Sequence, residues 1–448
     1  MRKILLTILI GLFGQTLYGY KPIFMSLAEI NEDARNADEH PVPDNKDWVN
    51  PDFTKFIKKR IPSWWDEVLF KLHIKSWPLW HIEGFKDLLF KTIASRENDG
   101  YVGRSVIAMK PDPGMVFVIW TDLQGAYHSL VRALNEMKSL GVLSDDLRIV
   151  KQNYCFVFNG NAIDQSAYSL EVLTIIMRLM ENNSGRVFYL RGQHEDRGHW
   201  KDFSLKRDLV FRVSLSPRER FELSGKIPLS EEMDRFFDTL PLALYLIGQE
   251  GQDGLDVVRI SYFGRDYKDL DEAASGLYLN NIGKEPYILK ILNKGAASGK
   301  KINIKAIVKG EYHLTSYHST LGLSQLEADK GSTSWVVFSS PTDTYRYLQD
   351  FYYDVFTLLE IGKTFDQWKI SLYNQDVREM LGFKKVATYN LINGLKEIDG
   401  VDKKDESEDL LSLERRMHRA EHEIEKILKV CDLDSGMEKK EKKEEKLK

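Results

Sequence analysis

Short apolar runs alternate with polar loops and helix-period stretches through the middle of the chain. The runs 115–120, 154–158 and 187–190 are each followed by a polar loop. The first two loops lead into stretches with helical periodicity at 127–140 and 169–180. This order predicts an α/β layered fold with the polar loops at one edge of the sheet, where open α/β folds place their binding sites.

The N-terminus predicts a secretory signal peptide over residues 1–19. A positive start at Arg2 and Lys3 precedes a nearly unbroken apolar run from Ile4 to Phe13, with Gly14 and Gly19 after it. The run is too short for a stable membrane anchor. We therefore expect export to the periplasm or the medium, with an apolar first element packed on the domain as the alternative.

Residues 20–109 are rich in aromatic side chains and prolines. Tryptophans interleaved with charges can stack nucleotides or sugars, but large aromatic side chains mostly serve burial. The pattern therefore favours an N-terminal helical cap on a larger domain. The tryptophans are Trp48, Trp64, Trp65, Trp77 and Trp80.

Two further segments are predicted at the C-terminal end. Residues 346–400 show amphipathic helical patterns with breaks at Gly362 and Gly382, and 401–448 form a coiled-coil helix and a charged tail. The tail resembles the Glu-rich signals of type IV-secreted bacterial effectors, so a secreted effector is a second interpretation. The coiled-coil seam predicts either a homo-oligomer or a helix docked on its own domain. Its positions are Leu410, Leu413, Met417, Ala420, Ile424 and Ile427.

Composition narrows the function. The 448 residues carry 63 Lys and Arg against 67 Asp and Glu, for a net charge of −4. This balance argues against a dedicated nucleic-acid binder, because phosphate neutralisation needs concentrated positive charge. The two cysteines, Cys155 and Cys431, cannot build a disulfide framework, and neither lies in a Cys/His cluster that would hold zinc.

Three loop motifs carry a family resemblance. They are Thr-Asp-Leu-Gln-Gly at 121–125, Gly-Asn-Ala-Ile-Asp-Gln-Ser at 160–166 and Leu-Arg-Gly-Gln-His-Glu at 190–195. They resemble the Gly-Asp-x-His-Gly, Gly-Asp-x-x-Asp-Arg-Gly and Leu-Arg-Gly-Asn-His-Glu motifs of the phosphoprotein phosphatase branch of the calcineurin-like metallophosphoesterases. The resemblance implies a β-sandwich flanked by helices over 110–345.

The resemblance also implies a centre of two divalent metals, and this chain departs from it at most ligand positions. In the family the ions generate the hydroxide that attacks phosphorus. Asp122 is the retained ligand. The positions of the other ligands are Gln124 for a histidine, Asn161 for the bridging aspartate, Gln193 for an asparagine, and Phe263 and Glu311 for two later histidines.

These replacements predict a pseudophosphatase. A neutral amide at Asn161 cannot supply the negative charge that lets two dications lie ~3.5 to 4 Å apart. Gln165 replaces the family's phosphate-gripping arginine, so a bidentate phosphate clamp is lost. We expect no cofactor and a function in binding a protein partner, which could be phosphorylated.

One catalytic pair and one rival interpretation remain. Asp164 and His194 match the family's acid dyad, with Arg191 beside them, and could be a surviving acid or a buried hydrogen bond kept for packing. His128, His199, His313 and His318 lie near the motifs and could be replacement ligands, although single histidines are more often ordinary surface or core residues. The rival is an active phosphoesterase with one Mg²⁺, Mn²⁺ or Ca²⁺ ion in an oxygen-rich site. Its ligands would come from Asp122, Gln124, Asn161, Gln193 and Glu311.

Overall fold

In a computed structural model, the described residues contain two mixed β-sheets of six strands each. The structure describes residues 22–37, 69, 78–101, 106–196, 198–213, 227–251, 254–262, 302–310, 321–327, 332–340 and 352–396. The strands are β1 Val106–Met109, β2 Val116–Trp120, β3 Tyr154–Asn159, β4 Val187–Leu190, β5 Ala243–Gly251, β6 Gly254–Ser261, β7 Ile302–Lys309, β8 Leu323–Glu327, β9 Thr333–Val337, β10 Tyr353–Glu360, β11 Lys369–Asp376 and β12 Lys384–Asn390. The helices are α1 Leu27–Asn36, α2 Ile82–Asn98, α3 Tyr127–Ser139, α4 Ser169–Asn182, α5 Ser204–Val213 and α6 Ser230–Asp238.

The sheet that contains the three motif strands has the order β12-β11-β10-β2-β3-β4. β2, β3 and β4 are parallel neighbours, so the loops that follow them lie side by side at one sheet edge. α3 and α4 begin where the helical periodicity predicts them. The α/β order predicted from the sequence is therefore confirmed, because each apolar run is a buried strand.

The other sheet has the order β1-β5-β6-β7-β9-β8. Apolar side chains from both sheets form a shared buried cluster, which includes Phe117 and Val157 from one sheet and Val258 and Trp335 from the other. This packing makes the two sheets a sandwich, as the resemblance implied. β1 begins at Val106, so the last residues of the predicted cap region belong to the sheet.

The helical extension predicted for 346–400 is wrong. β10 pairs with β2 and β11 in the interior of its sheet, and β12 follows β11. Gly362 and Gly382 lie in the loops that connect these strands. A strand buried on both faces carries a continuous apolar run that periodicity cannot separate from a buried helix. The sheet therefore continues past the predicted domain end at 345.

The described part of the N-terminal region is helical and packs on the sandwich helices, which agrees with the cap prediction. Phe24 stacks on Tyr127 of α3, with 6.2 Å between ring centroids. The Trp80 indole N–H donates to Thr174 Oγ1 of α4 at 2.9 Å, and Trp80 is buried. The aromatic side chains described here therefore serve burial.

Several predictions fall outside the described residues. These are the signal peptide over 1–19, the coiled coil and tail over 401–448, Cys431, and the tryptophans from 48 to 77. Cys155 is a buried thiol on β3, and burial raises the pKa of this thiol to about 11. Within the described ranges, the helices are all too short or too polar to cross a membrane.

Candidate functional site

The loops after β2 and β3 hold their polar side chains on an unusual backbone. Asp122, Gln124, Asn161, Asp164 and Gln165 have φ values of 47°, 51°, 50°, 72° and 57°. This left-handed region is uncommon for residues other than glycine, and such outliers cluster at functional sites. Asn and Asp tolerate it better than Gln does, so the loop conformation persists at positions 124 and 165 despite a side chain that does not favour it.

Where the loops after β2, β3 and β6 meet, a place that we call the cleft, three buried side chains form a hydrogen-bonded cluster. The Asn161 amide donates through Nδ2 to Asp122 Oδ1 at 3.2 Å and to the Tyr262 hydroxyl at 2.5 Å. The Tyr262 hydroxyl donates to Asp122 Oδ1 at 3.0 Å. All three residues are fully buried. We call these residues the Tyr262 cluster.

The orientation of the Asn161 amide follows from its neighbours. Asn161 Oδ1 accepts the backbone N–H of His194 at 3.0 Å, and that N–H can only donate. A flipped amide would place its NH₂ group against this donor and its oxygen against the Asp122 carboxylate. The NH₂ group of Asn161 therefore faces Asp122.

A pair of divalent ions does not fit these residues. A bridging ligand must accept two metal bonds, whereas Asn161 presents an NH₂ group toward the retained ligand Asp122. Nor does the described part of the chain contain a group of three or more His, Cys, Asp or Glu side chains placed to hold a metal ion. The donor set lacks the charge and the imidazoles that a dinuclear site needs.

Two further ligand positions behave differently from each other. Gln193 lies beside His199, with 2.9 Å between its Nε2 and the imidazole Nε2. Gln124 is fully buried, and neither polar atom of its amide forms a hydrogen bond with any described residue. The Gln193 side chain therefore contacts the His199 imidazole, whereas the Gln124 amide is buried without a hydrogen-bond partner among the described residues.

The predicted dyad is assembled in the structure. His194 Nδ1 lies 3.0 Å from Asp164 Oδ2, and Asp164 Oδ1 accepts the backbone N–H of Leu205 at 2.9 Å, near the start of α5. Burial raises the pKa of the Asp164 carboxyl, while the hydrogen bond to His194 opposes this. The His194 ring packs on Phe203, with 4.8 Å between centroids. Asp164 therefore anchors a helix as well as an imidazole.

Two charged residues of the third motif, Arg191 and Glu195, support the fold. The Arg191 guanidinium donates to the carbonyl of Phe237 at 2.5 Å, at the end of α6. Glu195 accepts backbone N–H groups from Asn161, Ala162 and Gly192 at 2.8 to 2.9 Å. The Tyr189 hydroxyl also donates to Glu195, at 2.9 Å. Burial raises the pKa of Glu195, although these donors favour its charged form.

Tyr262 is the site residue that the sequence prediction missed. The family histidine was placed at Phe263, which lies outside the described residues, whereas the side chain one position earlier enters the cleft. Tyr262 directly follows β6, whose sequence mixes Asp256 and Arg259 with apolar residues, so the available signal was its place next to Phe263. Glu311 is also outside the described residues, but Gly310 lies against Asp122, so that a Cβ on it would be 2.8 Å from Asp122 Oδ2.

Part of the chain is similar in sequence to two serine/threonine-protein phosphatases. The chain is 26% identical over 150 residues to the serine/threonine-protein phosphatase 2B catalytic subunit A1 of Saccharomyces cerevisiae, covering 32% of this chain and 23% of that protein. It is 31% identical over 80 residues to serine/threonine-protein phosphatase 7 of Arabidopsis thaliana, covering 18% of this chain and 17% of that protein. The matches therefore span less than a quarter of either relative.

Among solved structures, a protein serine/threonine phosphatase from Saccharomyces cerevisiae with similarity to human phosphatase PP5 aligns with a TM-score of 0.39 at 15% identity, covering 66% of this chain and 88% of that one. A cold-active protein-tyrosine phosphatase from a Shewanella species aligns with a TM-score of 0.36 at 16% identity, covering 63% and 83%. The family model for calcineurin-like phosphoesterases matches residues 115–338, half of the chain. The chain belongs to the calcineurin-like phosphoesterase family.

Proposed function

We propose that this chain is a pseudophosphatase, which uses a phosphoesterase fold to bind a protein partner and does not hydrolyse phosphoesters. The observation that carries the proposal is the Asn161 amide, whose NH₂ group faces Asp122 Oδ1 at 3.2 Å. A carboxylate at that place would collect positive charge from two ions, whereas an amide donor repels it. The proposed function therefore does not use the hydroxide nucleophile that metal ions supply in this family.

Metal content and turnover together test the proposal. The full chain, purified after incubation with Mn²⁺, should carry far less than one metal ion per molecule by elemental analysis. Its p-nitrophenyl phosphate turnover should match buffer and should not differ between wild type, Asp122→Asn and the surface control Asp146→Asn. Stoichiometric metal together with turnover that Asp122→Asn abolishes, and Asp146→Asn does not, would refute it.

A second candidate, an active phosphoesterase with one hard cation, is favoured by Gln124 and by the assembled dyad. The Gln124 amide oxygen is buried without a hydrogen-bond partner among the described residues, and amide oxygens are ligands that Mg²⁺ and Ca²⁺ accept. The dyad of Asp164 and His194 retains hydrogen-bonding geometry. The experiment above separates the candidates, because only the second predicts bound metal.

The partner could be phosphorylated, and inorganic phosphate or tungstate tests this version. An intact phosphate site would raise the melting temperature in either anion, since a ligand that binds only the folded state stabilises it. Gln165 stands where the family's arginine would be, and Arg191 donates to Phe237. We therefore expect no shift with either anion, and a saturable rise would favour a phosphorylated partner.

Export is proposed from the N-terminal charge and apolar pattern. Cell fractionation of the full chain in a bacterial host should place it in the periplasm or medium, shortened at its N-terminus. A variant with Ile8→Asp and Leu12→Asp in the apolar run should stay in the cytoplasm. Full-length wild-type chain in the cytoplasm would contradict the proposal.

A further inference from the structure

The Tyr262 cluster connects the two sheets of the sandwich at the cleft. Asp122 and Asn161 follow β2 and β3 in one sheet, whereas Tyr262 follows β6 in the other. Their side chains nevertheless meet through three hydrogen bonds of 2.5 to 3.2 Å. In a two-metal site, ions bound by side chains from several loops would make this connection.

The donors and acceptors of the cluster are complementary. Asp122 Oδ1 accepts one hydrogen bond from the Tyr262 hydroxyl and another from the Asn161 amide. The hydroxyl oxygen in turn accepts from Asn161, so that it both donates and accepts. A buried carboxylate is costly unless donors surround it, and here two neutral groups supply hydrogen bonds where cations would otherwise do so.

The tyrosine ring also fits closely against the backbone around it. A Cβ on Gly310 would lie 2.8 Å from two ring carbons of Tyr262, and a Cβ on Gly160 would lie 2.9 Å from Tyr262 Cβ. Gly160 also has φ of 79°, which favours glycine. Two glycines thus make room for the ring at the place where its hydroxyl reaches Asp122.

We infer that the Tyr262 hydroxyl takes over the loop-joining role of the divalent ions, so that hydrogen bonds hold the cleft of this chain in its binding conformation without metal. The inference rests on the proposed pseudophosphatase function and adds a specific residue to it. It makes the cleft insensitive to chelators. It also makes Tyr262 a positioning residue for whatever partner the cleft binds.

Thermal unfolding of the full chain in EDTA and in MnCl₂ tests the inference. Wild type should melt at the same temperature in both. Tyr262→Phe should melt about 2 to 4 °C lower in both, because a buried carboxylate and an amide lose a hydrogen-bonding partner. The matched control is Tyr127→Phe, which removes a buried hydroxyl from the Asp33 carboxylate outside the cluster and should lower the melting temperature without creating a Mn²⁺ response.

A second pair of variants keeps the test decisive if Tyr262→Phe does not fold. Asn161→Asp places a carboxylate against Asp122 and should lower the melting temperature in EDTA, with little recovery in Mn²⁺ while Tyr262 is present. Asn161→Asp combined with Tyr262→His should recover several degrees in Mn²⁺. Equal recovery by the single and the double variant would overturn the inference.

The possible failures are distinguishable. A wild-type melting temperature that rises in Mn²⁺ and falls in EDTA would overturn both the inference and the proposed function. A Tyr262→Phe variant that melts like wild type, with neither protein responding to metal, would overturn the inference and leave the pseudophosphatase proposal standing.

Discussion

Two neighbouring parts of the same cleft have diverged to different degrees. The metal-ligand positions have been rebuilt, with Asn161 and Tyr262 bonded directly to Asp122. A few residues away, the Asp164 and His194 pair keeps the family's residue types and a 3.0 Å contact. Both parts are buried, so burial alone does not explain the difference.

The difference lies in what else each side chain holds. Asp164 accepts the N–H of Leu205 near the start of α5, and Glu195 accepts three backbone N–H groups and one hydroxyl. These acids satisfy backbone donors whether or not catalysis occurs. At the metal-ligand positions, Asp122 is instead held by hydrogen bonds from the side chains of Asn161 and Tyr262. A retained dyad is therefore weak support for retained catalysis.

The largest expected effect concerns Glu195, which joins the two parts. Glu195→Ala should lower the free energy of unfolding by about 4 kcal/mol, because it leaves four buried donors without their acceptor. Urea unfolding measures this. The control Glu97→Ala removes a partly exposed pair with Arg235 and should cost ~0.5 kcal/mol or less. If Glu195→Ala lowers the free energy of unfolding by less than ~1 kcal/mol, Glu195 does not hold the loops together.

Asp164 separates a structural role from a catalytic one. Asp164→Ala should cost about 2 to 3 kcal/mol, because Leu205 and His194 both lose a buried partner. Asp164→Asn should cost less, ~1 kcal/mol, since the amide oxygen can still accept from Leu205. Urea unfolding gives both values. If neither variant loses stability while p-nitrophenyl phosphate turnover is present in wild type and falls in both, the dyad is catalytic and the comparison is wrong.

A third acid tests how α5 is held beyond the dyad. Asp208 on α5 lies 2.6 Å from Arg212 Nε, and Arg212 also bonds Glu171 on α4 at 2.8 Å. Burial raises the pKa of Asp208 from 3.8 to about 7; Arg212 opposes the rise and Glu171 adds to it.

The sign of the pH effect follows from proton binding. Between about pH 4 and 7 the folded state holds a proton on Asp208 that the unfolded state lacks, so stability falls as pH rises through this window, by up to ~1.3 kcal/mol per pH unit. Asp208→Asn should flatten the profile in urea titrations from pH 4 to 8. If the slope of stability against pH is unchanged in Asp208→Asn, a group other than Asp208 causes the pH dependence.

The smallest expected effect is at Gln124. Gln124→Met removes a buried amide that has no hydrogen-bond partner among the described residues, so stability should change by less than ~1 kcal/mol or increase. Gln193→Met, which breaks the contact with His199, is the matched comparison and should be the more destabilising variant. A clear loss of stability in Gln124→Met would indicate a bound group at that amide and would sharpen the case for a cation.

Local sequence patterns were sufficient to predict the three strands that precede the motif loops, and the motifs themselves indicated where the candidate site lies. The three apolar runs before the loops predicted β2, β3 and β4, and the family resemblance implied that Asp122 and Asn161 would lie at one site, where their side chains meet. The prediction failed for 346–400, because β10 is buried inside a sheet and its apolar run carries no period that separates strand from helix.

The loss of charge at the metal positions can be read directly from residue types, since no fold can turn Asn161 into a carboxylate. What fills the place of that charge depends on contacts between distant segments. Tyr262 is 101 residues from Asn161 in sequence and 140 from Asp122, and no motif marks this position in the sequence. Hydrogen bonds between sheets depend on the register and packing of both, so the cluster became visible only when the sandwich was assembled.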